Sequence, residues 1–332
     1  MKLDGNFPAL LESFFTQRLI GQRQASPHTI ASYRDTFQLL FQFAQQHLHK
    51  PPSRLTLADL EAPLIGTFLD YLEKTRGNGS RSRNLRLAAI RSFFRYAAYQ
   101  QPAHSGQIQR LLAIPNKRQT RALVGFLTRP EIDALLAAPD PLTWGGRRDH
   151  AFLLMALQTG LRLSEMTSLR RQDLTLSTGA PVRCQGKGRT QRCTPLAQQT
   201  VTVLKAWLGE PARSNSDLLF PNARGDRLSP DGAQYLLAKH LAVARQQCSS
   251  LRGKRVSPHV LRHTAAMELL QAGVDCSVIA LWLGHESVET TQIYLHANLA
   301  LKEEALAKTT PLHSKTGRYK AGDQLLQFLK SL

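Results

Sequence analysis

Long apolar runs, a secretion signal and paired cysteines are all missing from the sequence. No segment approaches the roughly 20 consecutive apolar residues that span a bilayer, and Met1 to Asn6 lacks the apolar core of a signal peptide. The four cysteines form no Cys-x-x-Cys pair, which argues against a zinc site and against a disulfide framework. We therefore expect a cytoplasmic protein with reduced thiols, of which Cys184 and Cys193 would lie opposite each other across a hairpin.

Negative charge is also scarce. Aspartate and glutamate number 24 against 43 lysines and arginines, so the net charge is +19. Because the basic residues are spread along the whole chain, the natural partner is a polyanion bound without regard to sequence. An anionic membrane surface is the alternative, but no helix pairs a wide apolar face with a lysine-rich one. Nucleic acid is therefore the expected partner, and no acidic cluster indicates a metal site.

The first part of the chain has the pattern of a helical domain. From Phe7 to Gln101 apolar residues recur at spacings of three and four, which predicts an all-α domain over 1–105. Ser26-Pro27 marks the start of its second helix, and Gly77 to Ser80 breaks the chain before its fourth. That fourth helix carries Leu85, Ala89 and Phe93 on its predicted core side. Four arginines are expected to face away, toward phosphate or simply toward solvent: Arg83, Arg86, Arg91 and Arg95.

A second domain is expected over 128–310, after an exposed linker at 106–127 where the periodicity fails. Its first helix begins with a capping box at Thr128 and Glu131. Helices at 147–158 and 164–170 precede two short strands at 182–184 and 191–195, joined by a glycine-rich turn. The fold class is therefore mainly α, with a mixed α+β second domain that contains a small antiparallel sheet. A tail at 311–332 ends in a short amphipathic helix.

Five short stretches of the second domain carry groups suited to phosphate chemistry. They are Thr-Gly-Leu-Arg-Leu-Ser-Glu at 159–165, Gly-Lys-Gly at 186–188, Pro-His-Val-Leu-Arg-His at 258–263, Leu-Gly-His at 283–285 and Thr-Gln-Ile-Tyr at 291–294. Each stretch alone is a weak signal, because a Gly-Lys-Gly is usually a turn and a Leu-Gly-His is most simply a helix end. Their order is the informative feature.

Together the five stretches resemble the tyrosine recombinase family, also called the phage integrase family, over residues 128–300. The N-terminal helices resemble the SAM-like core-binding domain of that family through Ser26-Pro27-His28-Thr29 with Tyr33, and through Arg91 to Tyr96. The resemblance implies six catalytic residues: Arg162, Lys187, His259, Arg262, His285 and Tyr294. Glu165 is expected to orient an arginine or histidine, although an ordinary surface glutamate is the alternative.

The chemistry explains why these residue types occur together. A phenol is a poor nucleophile unless a base takes its proton, so Tyr294 needs cationic neighbours and a base such as His259. Arg162 and Arg262 can hold the non-bridging phosphate oxygens, and Lys187 suits the protonation of the departing 5′ oxygen. The resemblance implies a 3′-phosphotyrosyl link that requires neither metal nor nucleotide. Tyr319, which also lies among basic residues, lacks the Thr-x-x-Tyr pattern.

The resemblance also implies the partners. We expect two domains that close on double-stranded DNA with inverted-repeat core sites, and a homotetramer on paired sites that exchanges its tails. Further DNA contacts are expected from Lys117, Arg118 and Arg121 in the linker and from Arg189 in the hairpin. The protein would then act at the nucleoid, as part of a mobile element. Two rival functions are relaxation by a type IB topoisomerase and binding by an inactive regulator.

Overall fold

The computed structural model describes residues 7–119, 124–176, 181–186, 191–211, 216–285 and 287–297. Within these ranges the chain is mostly helical and contains one two-stranded antiparallel sheet, which confirms the predicted fold class. The chain divides into two units at residue 121. The tail at 311–332, with Tyr319, lies outside the described residues. Of the helices in the described ranges, none has the length and apolar content that crossing a bilayer requires.

The first unit is a helical bundle with an aromatic core. Ser26 caps the second helix as predicted, because its side chain accepts a hydrogen bond from the Thr29 amide at 3.2 Å. Phe14 and Phe37 each pack against Phe93 in a T-shaped contact, with ring centroids 5.5 Å apart. The helices are α1 (Phe7–Ser13, continued as a π-helix over Phe14–Gln22), α2 (Pro27–Leu48), α3 (Ala62–Lys74), α4 (Ser80–Gln100) and α5 (Ser105–Leu112).

The buried face of α4 agrees with the prediction at Ala89 and Phe93, which are 1% and 0% exposed, but differs from it at Leu85 and Arg83. Leu85 is 61% exposed, whereas Arg83 is 6% exposed. Arg83 is directed inward because its guanidinium lies 3.6 Å from the Glu73 carboxylate and donates to the Pro115 carbonyl at 3.4 Å. The prediction of a phosphate-facing Arg83 is therefore wrong, and this side chain serves the structure of the first unit.

The predicted linker is also wrong over its first part. Residues Ser105–Leu112 form α5, and Ile108 and Leu111 are fully buried in the core of the first unit. Two apolar residues three positions apart were too short a pattern to stand out from the sequence. Beyond α5 the chain stays fixed to α4, since the Asn84 side chain donates to the Lys117 carbonyl at 2.8 Å and accepts from its amide at 3.1 Å.

The second unit surrounds a buried helix, α7 (Trp144–Thr159). Thr128 and Glu131 form the predicted capping box, in which Glu131 accepts from the Thr128 amide at 2.8 Å. The helices are α6 (Arg129–Ala137), α7 (Trp144–Thr159), α8 (Leu163–Ser168), α9 (Gln198–Leu208), α10 (Pro230–Gln247), α11 (Pro258–Gln271), α12 (Cys276–Leu283) and α13 (Gln292–Ala297).

The two strands are β1 (Pro181–Gln185) and β2 (Gln191–Pro195). Their register pairs Cys184 with Arg192 and Arg183 with Cys193. The expected pairing of the two cysteines is therefore wrong by one residue. Since a shift of one residue moves a side chain to the other face of the strand, Cys184 is buried and Cys193 is exposed. Both are free thiols, as expected.

Candidate active site

Two arginines meet at the C-terminal end of α12. Arg162 donates to the Gly284 carbonyl at 2.8 Å, and Arg262 donates to the Leu283 carbonyl at 2.7 Å. The last carbonyls of a helix have no partner within the helix, and they carry partial negative charge. The end of α12 therefore holds two guanidinium groups side by side from elements that are far apart in the sequence.

Glycines make this arrangement possible. Gly284 has a φ of +64°, a left-handed conformation that ends α12. Gly160 ends α7 in the same way, with a φ of +62°, and its carbonyl accepts a second hydrogen bond from Arg262 at 2.6 Å. A Cβ atom on Gly160 would lie 2.7 Å from the Leu283 side chain, so only glycine lets α7 and α12 approach this closely.

Arg262 is buried and therefore an unusual cation. Its exposure is 5%, and burial, followed by repulsion from Arg162, lowers its pKa to about 10. The guanidinium is still charged at neutral pH. It has five N–H donors, so the two hydrogen bonds to carbonyls leave donors for an anion.

Glu165 is the carboxylate of the site. Its side chain is 3% exposed, and it accepts from the Arg162 amide at 2.7 Å and from the Arg162 guanidinium at 3.0 Å. This contact supports the prediction that Glu165 orients an arginine, and it argues against an ordinary surface glutamate. Arg192 on β2 binds the same carboxylate at 2.8 Å, a contact that the sequence motifs did not indicate.

His285 follows the glycine that ends α12. Its backbone amide donates to the Ala280 carbonyl at 2.9 Å, and its Nδ1 lies 2.7 Å from the Thr291 hydroxyl. Burial and the neighbouring arginines lower the pKa of His285 to about 4, so the ring is neutral at pH 7. Thr291, the first residue of the Thr-x-x-Tyr stretch, thus fixes the ring of His285.

Tyr294 is buried and bound to a histidine. Its side chain is 1% exposed, and its hydroxyl lies 2.9 Å from His263 Nδ1. Burial raises the pKa of the phenol and lowers the pKa of His263 to about 4. A neutral histidine in hydrogen-bond contact is a possible acceptor for the phenol proton. The contact involves His263, whereas His259, the base expected from the sequence, is exposed, and its ring lies 6.3 Å from that of His263.

The structure thus brings Arg162, Arg262 and His285 to the end of α12, and places Tyr294 beside α11, the helix that carries His259 and Arg262. Lys187 lies outside the described residues. No group of three or more His, Cys, Asp or Glu residues in the described ranges could hold a metal ion. The site can bind an anion and supply a phenol with a proton acceptor.

Family models match most of each unit. The model described as Phage integrase family matches residues 125–300, and the Phage integrase, N-terminal SAM-like domain model matches residues 13–101. The chain belongs to the phage integrase family. It is similar to the integrase/recombinase y4rC of Sinorhizobium fredii, with 65% identity over 97% of each chain. It is also 32% identical to tyrosine recombinase XerC of Pelotomaculum thermopropionicum, over 87% of this chain and 94% of the relative.

Solved structures share the fold of this tyrosine-type site-specific recombinase. The XerH recombinase bound to a palindromic difH substrate is 24% identical, with a TM-score of 0.69 over 89% of this chain and 84% of the other. The Tn1549 transposon integrase is 13% identical, with a TM-score of 0.66 over 89% of this chain and 97% of the other. At this level of identity the agreement concerns the architecture of the two units.

The expected DNA-contacting residues of the recombinase occupy different environments. Arg95, Lys117 and Arg118 are exposed, and Lys117 forms an ion pair with Glu73 at 2.6 Å. Arg86 and Arg91 are half-buried, and Arg91 donates to the Asn116 side chain at 3.1 Å. Arg121 and Arg189 lie outside the described residues.

Two residues of the site, His263 and Arg192, are not indicated by the sequence motifs. His263 is adjacent to Arg262 in the quoted stretch, and its spacing of four from His259 on α11 was the available signal. Arg192 could have been found only from the hairpin register, because its pairing with buried Cys184 places both side chains on the inner face.

Proposed function

We propose that the protein is a site-specific DNA recombinase that cuts and rejoins strands through a 3′-phosphotyrosyl link to Tyr294. The proposal rests on one arrangement of side chains. Arg162 and Arg262 lie together at the end of α12, close in the fold to Tyr294, whose hydroxyl contacts the neutral His263. Fixed cations stabilise the charge that develops on phosphate in the transition state, and the tyrosine supplies the nucleophile.

In the proposed step the Tyr294 oxygen attacks the scissile phosphorus. The bond from phosphorus to the 5′ oxygen breaks as the new bond to tyrosine forms. The phenol proton passes to a histidine, for which the 2.9 Å contact favours His263 over His259. Lys187 protonates the departing 5′ oxygen. Since one phosphodiester replaces another, the link conserves its energy, and we expect no requirement for a nucleotide or a metal.

Tyr294 must become accessible to DNA for this step. A side chain that is 1% exposed is inaccessible to a phosphodiester. Cleavage therefore requires that Tyr294, or the residues that cover it, move when DNA binds. Such a movement breaks the contact with His263 unless the histidine moves with the tyrosine, so His259, with its exposed ring, remains the alternative base in the DNA complex.

The proposed substrate is double-stranded DNA with inverted-repeat core sites, bound by a homotetramer on two paired sites. A structure of lambda integrase, with the same fold, is a tetramer bound to a Holliday junction, and the Tn1549 transposon integrase is bound to transposon right end DNA. The net charge of +19 supports phosphate binding. Candidates for these contacts are Arg86, Arg91, Arg95, Lys117, Arg118, Arg121 and Arg189. The protein would act at the nucleoid, in the cytoplasm.

The experiment that tests this function uses plasmids with paired candidate sites, taken from the DNA that flanks the gene. Wild-type protein should produce recombinants. Relaxed topoisomers without recombinants would indicate a type IB topoisomerase activity. Occupied sites with neither product would indicate a DNA-binding regulator. Addition of a chelator should leave the yield of recombinants unchanged.

The tail provides a separate test of assembly. Residues 322–332 contain five large apolar residues, which need a partner surface that we propose lies on a neighbouring protomer. Deletion of 322–332 should leave binding to one site intact and abolish the tetramer on paired sites, as measured by native mass spectrometry. Normal recombination by the truncated protein would exclude exchange of tails.

A further inference from the structure

A third arginine, Arg192, binds the buried carboxylate of the site. Its two terminal nitrogens donate to the two oxygens of Glu165, at 2.8 and 3.3 Å. The side chain of Arg192 is 12% exposed and that of Glu165 is 3% exposed. A two-pronged contact of this kind fixes both the position and the rotation of a carboxylate.

Gly284 leaves the space that the Arg192 guanidinium occupies. A Cβ atom at position 284 would lie 2.1 Å from Arg192 Nη1 and 3.0 Å from its Cζ. The carbonyl of the same glycine accepts the hydrogen bond from Arg162. Arg192 therefore packs against the helix end that holds Arg162, and shares the carboxylate that binds Arg162.

Arg192 is less accessible to DNA than Arg162 is. Both terminal nitrogens donate to Glu165, and Nε is buried without a hydrogen-bond partner in the described structure. By contrast, the side chain of Arg162 is 28% exposed. Of the two arginines that share Glu165, Arg162 is the more accessible to an incoming phosphate.

We propose that Arg192 is a positioning residue for DNA cleavage, which fixes Glu165 and, through it, Arg162. Lys187 lies shortly before β2 in the sequence. The contact between Arg192 and Glu165 therefore also anchors β2, the strand after the lysine, at the end of α12. This inference rests on the proposed function, in which Arg162 binds the scissile phosphate.

The test measures covalent complex on a nicked suicide substrate in a single turnover at saturating protein. Arg192→Ala should slow the reaction by about 10- to 100-fold, by analogy with loss of residues that orient metal ligands. Its affinity for the same DNA should stay within about twofold of wild type, because Arg192 is less accessible to DNA than Arg162 is. Arg192→Lys should recover only part of the rate, since an ammonium cannot reproduce the planar fork.

Arg183→Ala is the matched control, because Arg183 is exposed on the paired strand and the substitution removes the same charge. It should cleave at the wild-type rate. Thermal unfolding and DNA affinity are measured for each variant. The cleavage rates of Arg192→Ala and Arg192→Lys are compared with the fraction of each variant that is folded and bound to DNA. If the rate falls only as much as that fraction falls, Arg192 has a purely structural role and the inference is wrong.

A double-mutant cycle with Glu165→Gln separates positioning from direct contact. If Arg192 acts through Glu165, Arg192→Ala should cause no further loss of rate in the Glu165→Gln background. If the loss of rate in the double variant equals the product of the losses in the two single variants, Arg192 contacts DNA independently of Glu165. A wild-type rate in Arg192→Ala alone would also overturn the inference. Absence of covalent complex in wild-type protein would instead contradict the proposed function.

Discussion

The two units of the protein hold arginine in different ways. In the second unit Arg162 and Arg262 are fixed by helix-end carbonyls, and Arg162 also by a buried carboxylate. In the first unit Arg95 is exposed on α4, and the one fully buried arginine of that helix, Arg83, is paired with Glu73. Fixed cations are suited to stabilising charge on phosphate, exposed cations are suited to binding DNA, and the buried Arg83 is suited to holding the first unit together.

The largest expected effect concerns the residue that the fixed cations would serve. Tyr294→Phe removes only the attacking oxygen, so it should abolish covalent attachment to a nicked suicide substrate and leave DNA binding nearly unchanged. Denaturing gels detect the attachment. Tyr319→Phe is the control and should behave like wild type. Covalent complex in Tyr294→Phe would disprove the assignment of the nucleophile.

The next largest effect tests whether the fixed arginines act through geometry or through charge alone. Arg262→Ala should lower the single-turnover cleavage rate by about 10²- to 10³-fold, comparable to loss of one preorganised oxyanion donor. Arg262→Lys should recover little, because one ammonium cannot bridge the carbonyls of Gly160 and Leu283 and also bind phosphate. Full activity in Arg262→Lys would show that charge alone is sufficient.

The histidines beside the fixed cations give a pH prediction. Since the pKa of His263 is lowered to about 4, its ring stays neutral and able to accept a proton from pH 8 down to about pH 5. The cleavage rate should therefore show no break near pH 6.5 that depends on His263. His263→Ala should lower the rate by about 10²-fold. A break near pH 6.5 that is present in wild type and absent from His263→Ala would contradict a neutral His263, and an unchanged rate would favour His259.

The smallest effects are expected in the first unit. Arg95→Ala should weaken DNA binding several-fold and reduce the slope of log affinity against log salt by about 1. Arg83→Ala should lower the free energy of unfolding by about 1 to 2 kcal/mol, because it removes a buried side chain together with its contact to Glu73 and its hydrogen bond to the Pro115 carbonyl, and should not change that slope. Fluorescence anisotropy and thermal unfolding measure the two quantities. An equal change of slope in both variants would remove the distinction between them.

The sequence predicted the second unit better than the first for a physical reason. Arg162, Glu165 and Arg262 lie at helix ends that short motifs mark, so the motifs predict that these side chains lie together. Their neighbours Arg192 and His263 depend on strand register and helix packing, which the motifs do not encode. In α4 the prediction from periodicity was wrong at Leu85 and Arg83, because an arginine can be buried when a partner such as Glu73 lies nearby in the fold.

A covalent bond between Tyr294 and DNA is the defining feature of the proposed reaction. Wild-type protein trapped on a nicked suicide substrate, then digested with nuclease and protease, can be mapped by mass spectrometry to the residue that retains the nucleotide. We expect a phosphotyrosyl adduct at Tyr294. An adduct at Tyr319 or at any serine, or no adduct from protein that recombines the substrate, would contradict it.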